Sequence, residues 1–199
     1  MLKKSLMASA FAATALVSVG ASAQNYDSSA RDNGFSYTYG QLGYDYWDYD
    51  NGPDVNVLYG EGSFALDQNL FLRGGLSLYD GDYDSPGNDN VDGNRIYGGL
   101  GFHTPLQRNL DLVGTADVIR DDNDFHDDEW GYRLRAGLRH QTTQALQLSG
   151  GAIYEDIYDG NFGVYGQALV SVTPVIDVGA RATVQDDSDT IGVFGRYNF

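Results

Sequence analysis

Apolar and polar residues alternate with a period of two along most of the chain. In eight segments one face is apolar or small, and the opposite face carries the charged residues. A period of two is that of a β-strand, and no part of the sequence sustains the 3.6-residue period of an amphipathic helix. The eight predicted strands are residues 70–79, 95–103, 110–118, 130–139, 146–155, 162–171, 176–185 and 190–199.

Strands with one apolar and one charged face fit two architectures. In a soluble sandwich the apolar faces pack together, whereas in a transmembrane barrel they meet lipid and the charged faces line the lumen. The connections favour the barrel, because short turns alternate with acidic loops rich in glycine or asparagine. Aromatic residues at the ends of apolar faces, such as Trp130 and Phe199, fit the same interpretation. We therefore expect an all-β, antiparallel, up-and-down transmembrane β-barrel.

Two further segments precede these eight. Residues 55–66 alternate cleanly, but residues 35–46 do not, because the aromatic residues of their first and second halves fall on opposite faces. A β-bulge near Gly40 or Gly43 would bring both halves to one face. The sequence therefore predicts ten strands, with eight as the alternative if the first pair caps the barrel.

The beginning of the chain has the pattern of a secretory signal peptide. A basic start with Lys3 and Lys4 precedes an apolar run over residues 6–19, and residues 21–23 (Ala-Ser-Ala) form a small-residue cleavage site. The signal is predicted to be residues 1–23, and the mature barrel domain residues 24–199. Both lysines lie in the signal, so every cation of the mature domain is arginine.

Composition excludes several classes of function. The sequence has 28 Asp+Glu against 12 Lys+Arg, a net charge of -16, so we expect no nucleic-acid partner, because phosphate contacts need clustered cations. It has no cysteine, which excludes disulfides, thiolate metal sites and a cysteine nucleophile.

The sequence ends in Gly-Arg-Tyr-Asn-Phe, with Tyr197 and Phe199 on the apolar face. Together with the signal, the alternating segments and the short turns, this ending resembles small single-domain β-barrel proteins of the Gram-negative outer membrane. Phe199 and Tyr197 are similar to the C-terminal signal that such proteins present to the barrel-assembly machinery. The resemblance implies export through the periplasm and a monomer in the outer membrane, in contact with lipid and lipopolysaccharide.

The charged faces of the strands are expected to meet inside the barrel. Buried charges must be paired, and arginine can hold a carboxylate with two hydrogen bonds, so one interpretation is a salt-bridged polar plug. The other is a narrow pore with an arginine constriction that favours anions. The predicted lumen network consists of Arg73, Arg95, Arg133, Arg135, Arg139, Arg181 and Arg196, facing Glu61, Asp111, Asp117, Glu155 and Asp177.

Most of the other carboxylates fall in the predicted outer loops. Blocks of like charge are usually solvated. The alternative is loosely bound Ca²⁺ or Mg²⁺, because these cations take several carboxylate oxygens, and such ions would bridge the loops to lipopolysaccharide. No segment fits the EF-hand pattern, so any such site would be weak. The candidate metal ligands are Asp80, Asp82, Asp84, Asp127 and Asp128.

Catalytic chemistry has one candidate, His126, in the acidic segment of residues 121–129. A histidine beside carboxylates at a barrel rim is similar in kind to outer-membrane aspartyl-type proteases, but those proteins are far longer. We therefore expect no enzymatic activity and no dedicated cofactor. The preferred function is a structural, surface-facing barrel, the alternative is a narrow anion-preferring channel for small solutes, and a rim hydrolase ranks third.

Overall fold

The structure is a computed structural model that describes residues 35–49, 53–82, 90–124 and 126–199. It contains ten strands: β1 (Tyr39–Tyr49), β2 (Asp54–Ala65), β3 (Leu70–Asp82), β4 (Asn90–Gln107), β5 (Leu110–Asn123), β6 (His126–Gln141), β7 (Leu146–Asp156), β8 (Gly160–Ser171), β9 (Ile176–Gln185) and β10 (Ser188–Asn198). The predicted signal peptide lies outside the described residues.

The ten strands form a closed antiparallel barrel. Each strand pairs with its neighbours in sequence, and β1 pairs with β10, so the up-and-down topology is confirmed and the ten-strand count with it. Closure gives every strand two partners, which is what a sheet needs where lipid offers no hydrogen bonds to its backbone. In the described part of the chain, no helix is long and apolar enough to cross a membrane.

The two faces of the wall differ as the alternation predicted. Large apolar side chains cover the outside, where Leu42 is 70% exposed and Val193 is 60% exposed. Val57 and Ile119 point inward and are fully buried. A soluble protein rarely exposes so continuous an apolar band, and lipid is the surrounding that such a band requires.

The first strand lacks the bulge that the sequence predicted near Gly40 or Gly43. Its pairing with β2 and β10 runs without a register shift. Both sets of aromatic residues keep the regular alternation, because Tyr39 points into the lumen and Tyr44 points outward. The prediction was wrong because tyrosine serves both faces in this barrel, so a change of face was mistaken for a break. Register shifts do occur in β4 near Pro105 and in β5 before Asn123.

The two ends of the barrel differ in their connections. At one end, here called the short-turn end, the β2–β3, β6–β7 and β8–β9 turns share the same backbone hydrogen bonds, such as Leu66 N to Leu70 O at 2.8 Å. At the other, acidic end, the predicted loop of residues 121–129 is mostly strand. Only residues 124–125 join β5 to β6. Arg120 and Asp128 form a salt bridge across these strands, so the charges extend the wall instead of forming a loop.

Inside the barrel, glycines make room for aromatic rings on the neighbouring strand. In five cross-strand pairs, a Cβ added at the glycine would lie closer than 3.0 Å to the facing ring. Such a ring covers the glycine backbone and fills the space above it, which offsets the weakness of glycine in a strand. The pairs are Gly43 with Tyr59, Gly75 with Tyr97, Gly93 with Tyr79, Gly101 with Phe71, and Gly179 with Phe194.

Gly101→Ala is expected to destabilise the barrel by roughly 1–3 kcal/mol, the usual cost of forcing volume into a packed interior. The added Cβ would overlap the ring of Phe71, which packs 5.0 Å from the ring of Tyr37. Gly98→Ala on the same strand is the matched control, because its Cβ would meet nothing within 4 Å. Urea unfolding of the refolded variants in lipid vesicles measures the difference, and equal stabilities would contradict the prediction.

Candidate functional site in the barrel lumen

A continuous chain of charges of alternating sign crosses the lumen. Arg73 contacts Glu61 at 2.8 Å and Asp117 at 3.7 Å, and Asp117 in turn lies 3.1 Å from Arg133. The chain continues from Arg133 to Glu155 at 3.5 Å. Six of the predicted lumen residues therefore belong to one network. Its seventh member, Asp121, was not among the predicted residues and joins the network through Arg95. The network passes in order through Glu61, Arg73, Asp117, Arg133, Glu155, Arg95 and Asp121.

Arg95 carries this chain to the acidic end. It binds Glu155 at 3.1 Å and Asp121 at 2.6 Å. Because Arg95 is on β4 and Glu155 is on β7, their contact spans the lumen between strands that do not pair. Sequence reasoning missed Asp121 because it was assigned to a loop. The strand alternation would have found it, since Asp121 lies on the same face of β5 as Asp117.

A second ion pair joins strands near the closure of the barrel. Both Arg181 Nε and Arg181 Nη2 donate to the carboxylate of Asp45, the former at 3.0 Å. The guanidinium of Arg181 also stacks 3.9 Å from the ring of Tyr59. Asp45 was missed because the predicted bulge left the inward face of β1 undefined. The regular alternation from Tyr39 places Asp45 inside.

Three predicted lumen arginines form no salt bridge with any carboxylate that the structure describes: Arg135, Arg139 and Arg196. Arg139 donates from Nε and Nη2 to Gln147 Oε1, at 3.1 and 2.7 Å. Arg196 donates from the same two atoms to Gln41 Oε1, at 3.1 and 2.8 Å. The amide oxygen accepts these hydrogen bonds but carries no negative charge, so neither arginine forms a salt bridge with its glutamine.

Arg135 has the weakest set of partners of the three. Its guanidinium lies 5.4 Å from the centre of the Tyr165 ring. Its Nε is buried and has no hydrogen-bond partner among the described residues. A buried, charged donor without an acceptor is costly, so this atom marks a position where a ligand or water would be stabilised.

The two remaining predicted carboxylates take other partners among the described residues. Asp177 accepts a hydrogen bond from Asn198 Nδ2 at 2.7 Å. Asp111 is fully buried and accepts one from the Tyr37 hydroxyl at 2.9 Å, with His103 Nδ1 at 3.5 Å from the same carboxylate oxygen. These two carboxylates do not join the chain of charges that the sequence grouped them with.

A short segment before β1, residues 35–38, lies inside the short-turn mouth. Phe35, Ser36 and Tyr37 are all buried, so three consecutive residues break the in–out alternation and the segment leaves the wall. Arg139 on β6, the strand opposite β1, donates to the Ser36 carbonyl at 3.1 Å. Tyr37 stacks on His103 at 3.7 Å. The segment therefore reaches across the lumen to the far wall.

The acidic mouth is filled by side chains as well. Val55, Val57, Tyr79 and Val91 form a buried cluster on β2, β3 and β4, and Trp47 and Tyr49 pack against it. Tyr158, in the connection between β7 and β8, donates to Asp121 at 3.3 Å. Burial raises the pKa of Tyr158 to about 12, and the neighbouring Asp121 charge adds to the rise, so this hydroxyl stays protonated at neutral pH.

A cavity of ≈ 100 Å³ lies between the two mouths. Its polar lining is strongly cationic, because Glu61 is its one carboxylate among the described residues, against five arginines. Aromatic rings form much of the rest, including Tyr37, Phe71 and Tyr165. The lining arginines are Arg73, Arg135, Arg139, Arg181 and Arg196.

The candidate metal ligands do not gather in the described residues. Asp128 pairs with Arg120, and Asp80 lies within β3. Asp84 lies outside the described residues, as do the side chains of Asp82, Asp127 and His126. Among the side chains that the structure does describe, no group of three or more Asp, Glu or His could hold a metal ion. Loose binding of Ca²⁺ or Mg²⁺ at the acidic end stays a prediction.

The proposed assembly-signal residues lie at the short-turn end, on the outer face. Tyr197 and Phe199 are 48% and 78% exposed, and their ring centres are 5.1 Å apart in an edge-to-face arrangement. Recognition by the assembly machinery, contact with lipopolysaccharide, the monomeric state and the absence of a nucleic-acid partner stay predictions.

Solved structures share this fold. The β domain of the Bordetella autotransporter BrkA matches with a TM-score of 0.56 and 12% identity, over 82% of this chain and 99% of that one. The NanC porin matches with a TM-score of 0.51 and 5% identity, over 80% and 100%. An outer membrane channel from Pseudomonas putida F1 matches with a TM-score of 0.50 and 11% identity, over 82% and 96%.

These likenesses define the class of the fold, which is that of the Gram-negative outer-membrane β-barrels. At 5–12% identity they show the fold alone. No protein-family model matches the sequence, and no curated protein matches it.

Asp117→Ala is expected to destabilise the barrel by roughly 3–5 kcal/mol, because Arg133 would lose a buried partner and keep its charge. Asp122→Ala is the matched control: Asp122 lies 3.7 Å from Arg120 at the exposed acidic end, where a pair contributes only about 0–1 kcal/mol. Urea unfolding in lipid vesicles compares the two variants. A loss at Asp117 no larger than at Asp122 would show that the lumen is solvated like an exterior surface.

Proposed function

We propose that the barrel is a narrow outer-membrane channel that prefers small anions. The observation that carries the proposal is the set of three lumen arginines, Arg135, Arg139 and Arg196, that form no salt bridge with a described carboxylate. Cations fixed along a narrow polar passage favour the entry of anions and disfavour that of cations.

A purely structural lumen would be expected to pair these three charges with carboxylates. Taking a charge out of water costs several kcal/mol unless a partner repays the cost, and the other four lumen arginines have such partners. Carboxylates are not scarce in a chain with 28 Asp+Glu. Arginines without a salt bridge would therefore weaken a plug, whereas in a channel they would attract the solute.

Two of the matched structures bear names that fit this proposal: one is described as a porin and another as an outer membrane channel. The third is the barrel of an autotransporter, so the fold is shared by barrels of different function. The names support the proposal, and the arginines of this chain carry it.

The second candidate is a structural, non-enzymatic barrel that faces the cell surface. The alternating chain of charges from Glu61 to Asp121 favours it, because such a chain braces strands on several sides of the lumen. Both mouths are also filled by buried side chains. A channel with this lumen needs an opening step, and the segment of residues 35–38, which lies inside the short-turn mouth, is one element that would have to move.

Arg135→Gln is expected to lower anion preference without loss of stability, because it removes a buried charge that has no salt bridge. Reversal potentials of the refolded protein in planar bilayers, under a gradient of KCl, measure the preference. Arg120→Gln, which changes the same charge at the exposed acidic end, is the control. A silent, folded wild-type barrel would refute the channel and leave the structural candidate.

Replacing both Phe35 and Tyr37 by alanine is expected to raise single-channel conductance or the fraction of time open. Their rings fill the short-turn mouth against Phe71 and His103, and alanine cannot reach across it. Tyr44→Ala, on the outer face of β1, is the control, since it removes a ring from the lipid side. Unchanged conductance in the double variant would show that this segment does not limit the passage.

A further inference from the structure

We propose that Gln41 and Gln147 hold Arg196 and Arg139 as parts of a binding site for a small organic carboxylate in the lumen cavity. The inference deepens the proposed function, because it names the class of anion that the same arginines would take. It goes further in assigning two glutamines as the residues that keep the site cationic.

Each glutamine binds its arginine in the way that a carboxylate binds other arginines of this barrel. Gln41 Oε1 accepts from both Nε and Nη2 of Arg196, at 3.1 and 2.8 Å. Four residues further along the same face of β1, the Asp45 carboxylate accepts from the Nε and Nη2 of Arg181. The two arginines are held through the same pair of donors, one by an amide and the other by an anion.

On the opposite wall, too, an amide takes the place of a carboxylate. Gln147 accepts from Nε and Nη2 of Arg139, and Glu155, on the same face of β7, binds Arg95 and Arg133. Glutamate has the shape of glutamine and would add a salt bridge at either position. An amide oxygen instead orients the guanidinium and leaves its full positive charge for another partner.

These guanidiniums face one cavity together with an unsatisfied donor. Arg135, Arg139 and Arg196 all line it, and the buried Arg135 Nε has no hydrogen-bond partner in the described structure. Gln41 and Arg196 are each only 5% exposed, so an anion here would be held away from bulk water, where charge-assisted hydrogen bonds are strong.

The aromatic rings of the cavity lining select among anions. Rings of Tyr37, Phe71 and Tyr165 face the same space as the arginines. Guanidinium groups match a carboxylate through paired N–H donors, and aromatic rings offer an apolar surface to the carbon atoms attached to it. Phosphate and chloride would use the cations but gain nothing from the rings, so a small organic carboxylate fits the whole lining.

The test measures binding without transport. The refolded full barrel in detergent is unfolded by heat in rising sodium butyrate, with sodium chloride replaced to hold ionic strength constant. A ligand bound by the native state alone raises the unfolding midpoint as it saturates its site. We expect a saturable rise with butyrate for the wild type, and a smaller one with phosphate.

The deciding variant carries Gln41→Glu and Gln147→Glu together. It should remain folded, with a midpoint in chloride at least equal to that of the wild type, and its affinity for butyrate should fall about tenfold or more, because both arginines are then neutralised. Gln107→Glu with Gln144→Glu, at exposed positions of the short-turn end, makes the same charge change outside the lumen and should leave butyrate binding unchanged.

Each outcome bears on the inference. Undiminished butyrate binding in the Gln41 and Gln147 double variant would overturn it, as would no rise in the wild type. Equal rises with phosphate and chloride would overturn the carboxylate class. The channel is judged separately by bilayer conductance: a conducting barrel that does not bind butyrate refutes this inference alone, whereas a silent barrel that binds butyrate through these glutamines refutes the channel alone.

Discussion

Hydrogen bonding of the backbone is the constraint on which the rest of the barrel depends. Lipid supplies neither donors nor acceptors, so a spanning sheet must close on itself, and the pairing of β1 with β10 accomplishes this. Once the ring is closed, alternation leaves each side chain two choices, lipid or lumen. Charged residues of the spanning strands are therefore forced inward, into a space small enough that they must satisfy one another.

The lumen meets that requirement in three ways. Glycines accept the rings of facing aromatic residues, as Gly101 does for Phe71. Arginines and carboxylates form a chain of alternating sign, in which the fully buried Asp117 lies between Arg73 and Arg133. Glutamines complete the hydrogen bonds of two more arginines without neutralising them. Only the third solution holds arginines without a salt bridge, which is why the proposed chemistry concentrates there.

The period of two was sufficient to predict the strands, their faces and the closed topology, because lipid and lumen impose opposite demands on consecutive residues. The period gave a wrong prediction where one type of residue is found on both faces of a strand. Tyrosine is found on both faces of β1, so the change from Tyr39 to Tyr44 was interpreted as a bulge. The acidic composition of residues 121–129 also led to a wrong prediction. Asp121 was assigned to a solvated loop, although it lies on the inner face of β5 and binds Arg95.

The partners within the lumen could not be predicted at all. The contact between Arg95 and Glu155 joins residues that no strand pairing brings together, so it depends on the diameter of the barrel and on which neighbours fill it. Gln41 and Gln147 carried no signal in the sequence, because a neutral amide is unremarkable until the arginine that it holds is known. The charge on each strand face could be predicted from the sequence, whereas the partner of each charged residue could be identified only from the structure.

The seam between β1 and β10 also has a consequence for folding. It pairs Tyr39 with Asn198, so the contact that completes the barrel joins residues almost the whole described chain apart. Nine of the ten strands can be made and still leave two open edges, each able to pair with another chain. Contacts of such sequence separation form slowly, because the entropy of a long loop is lost before any hydrogen bond is gained. A chain of this topology therefore depends on protection from aggregation until β10 has paired with β1.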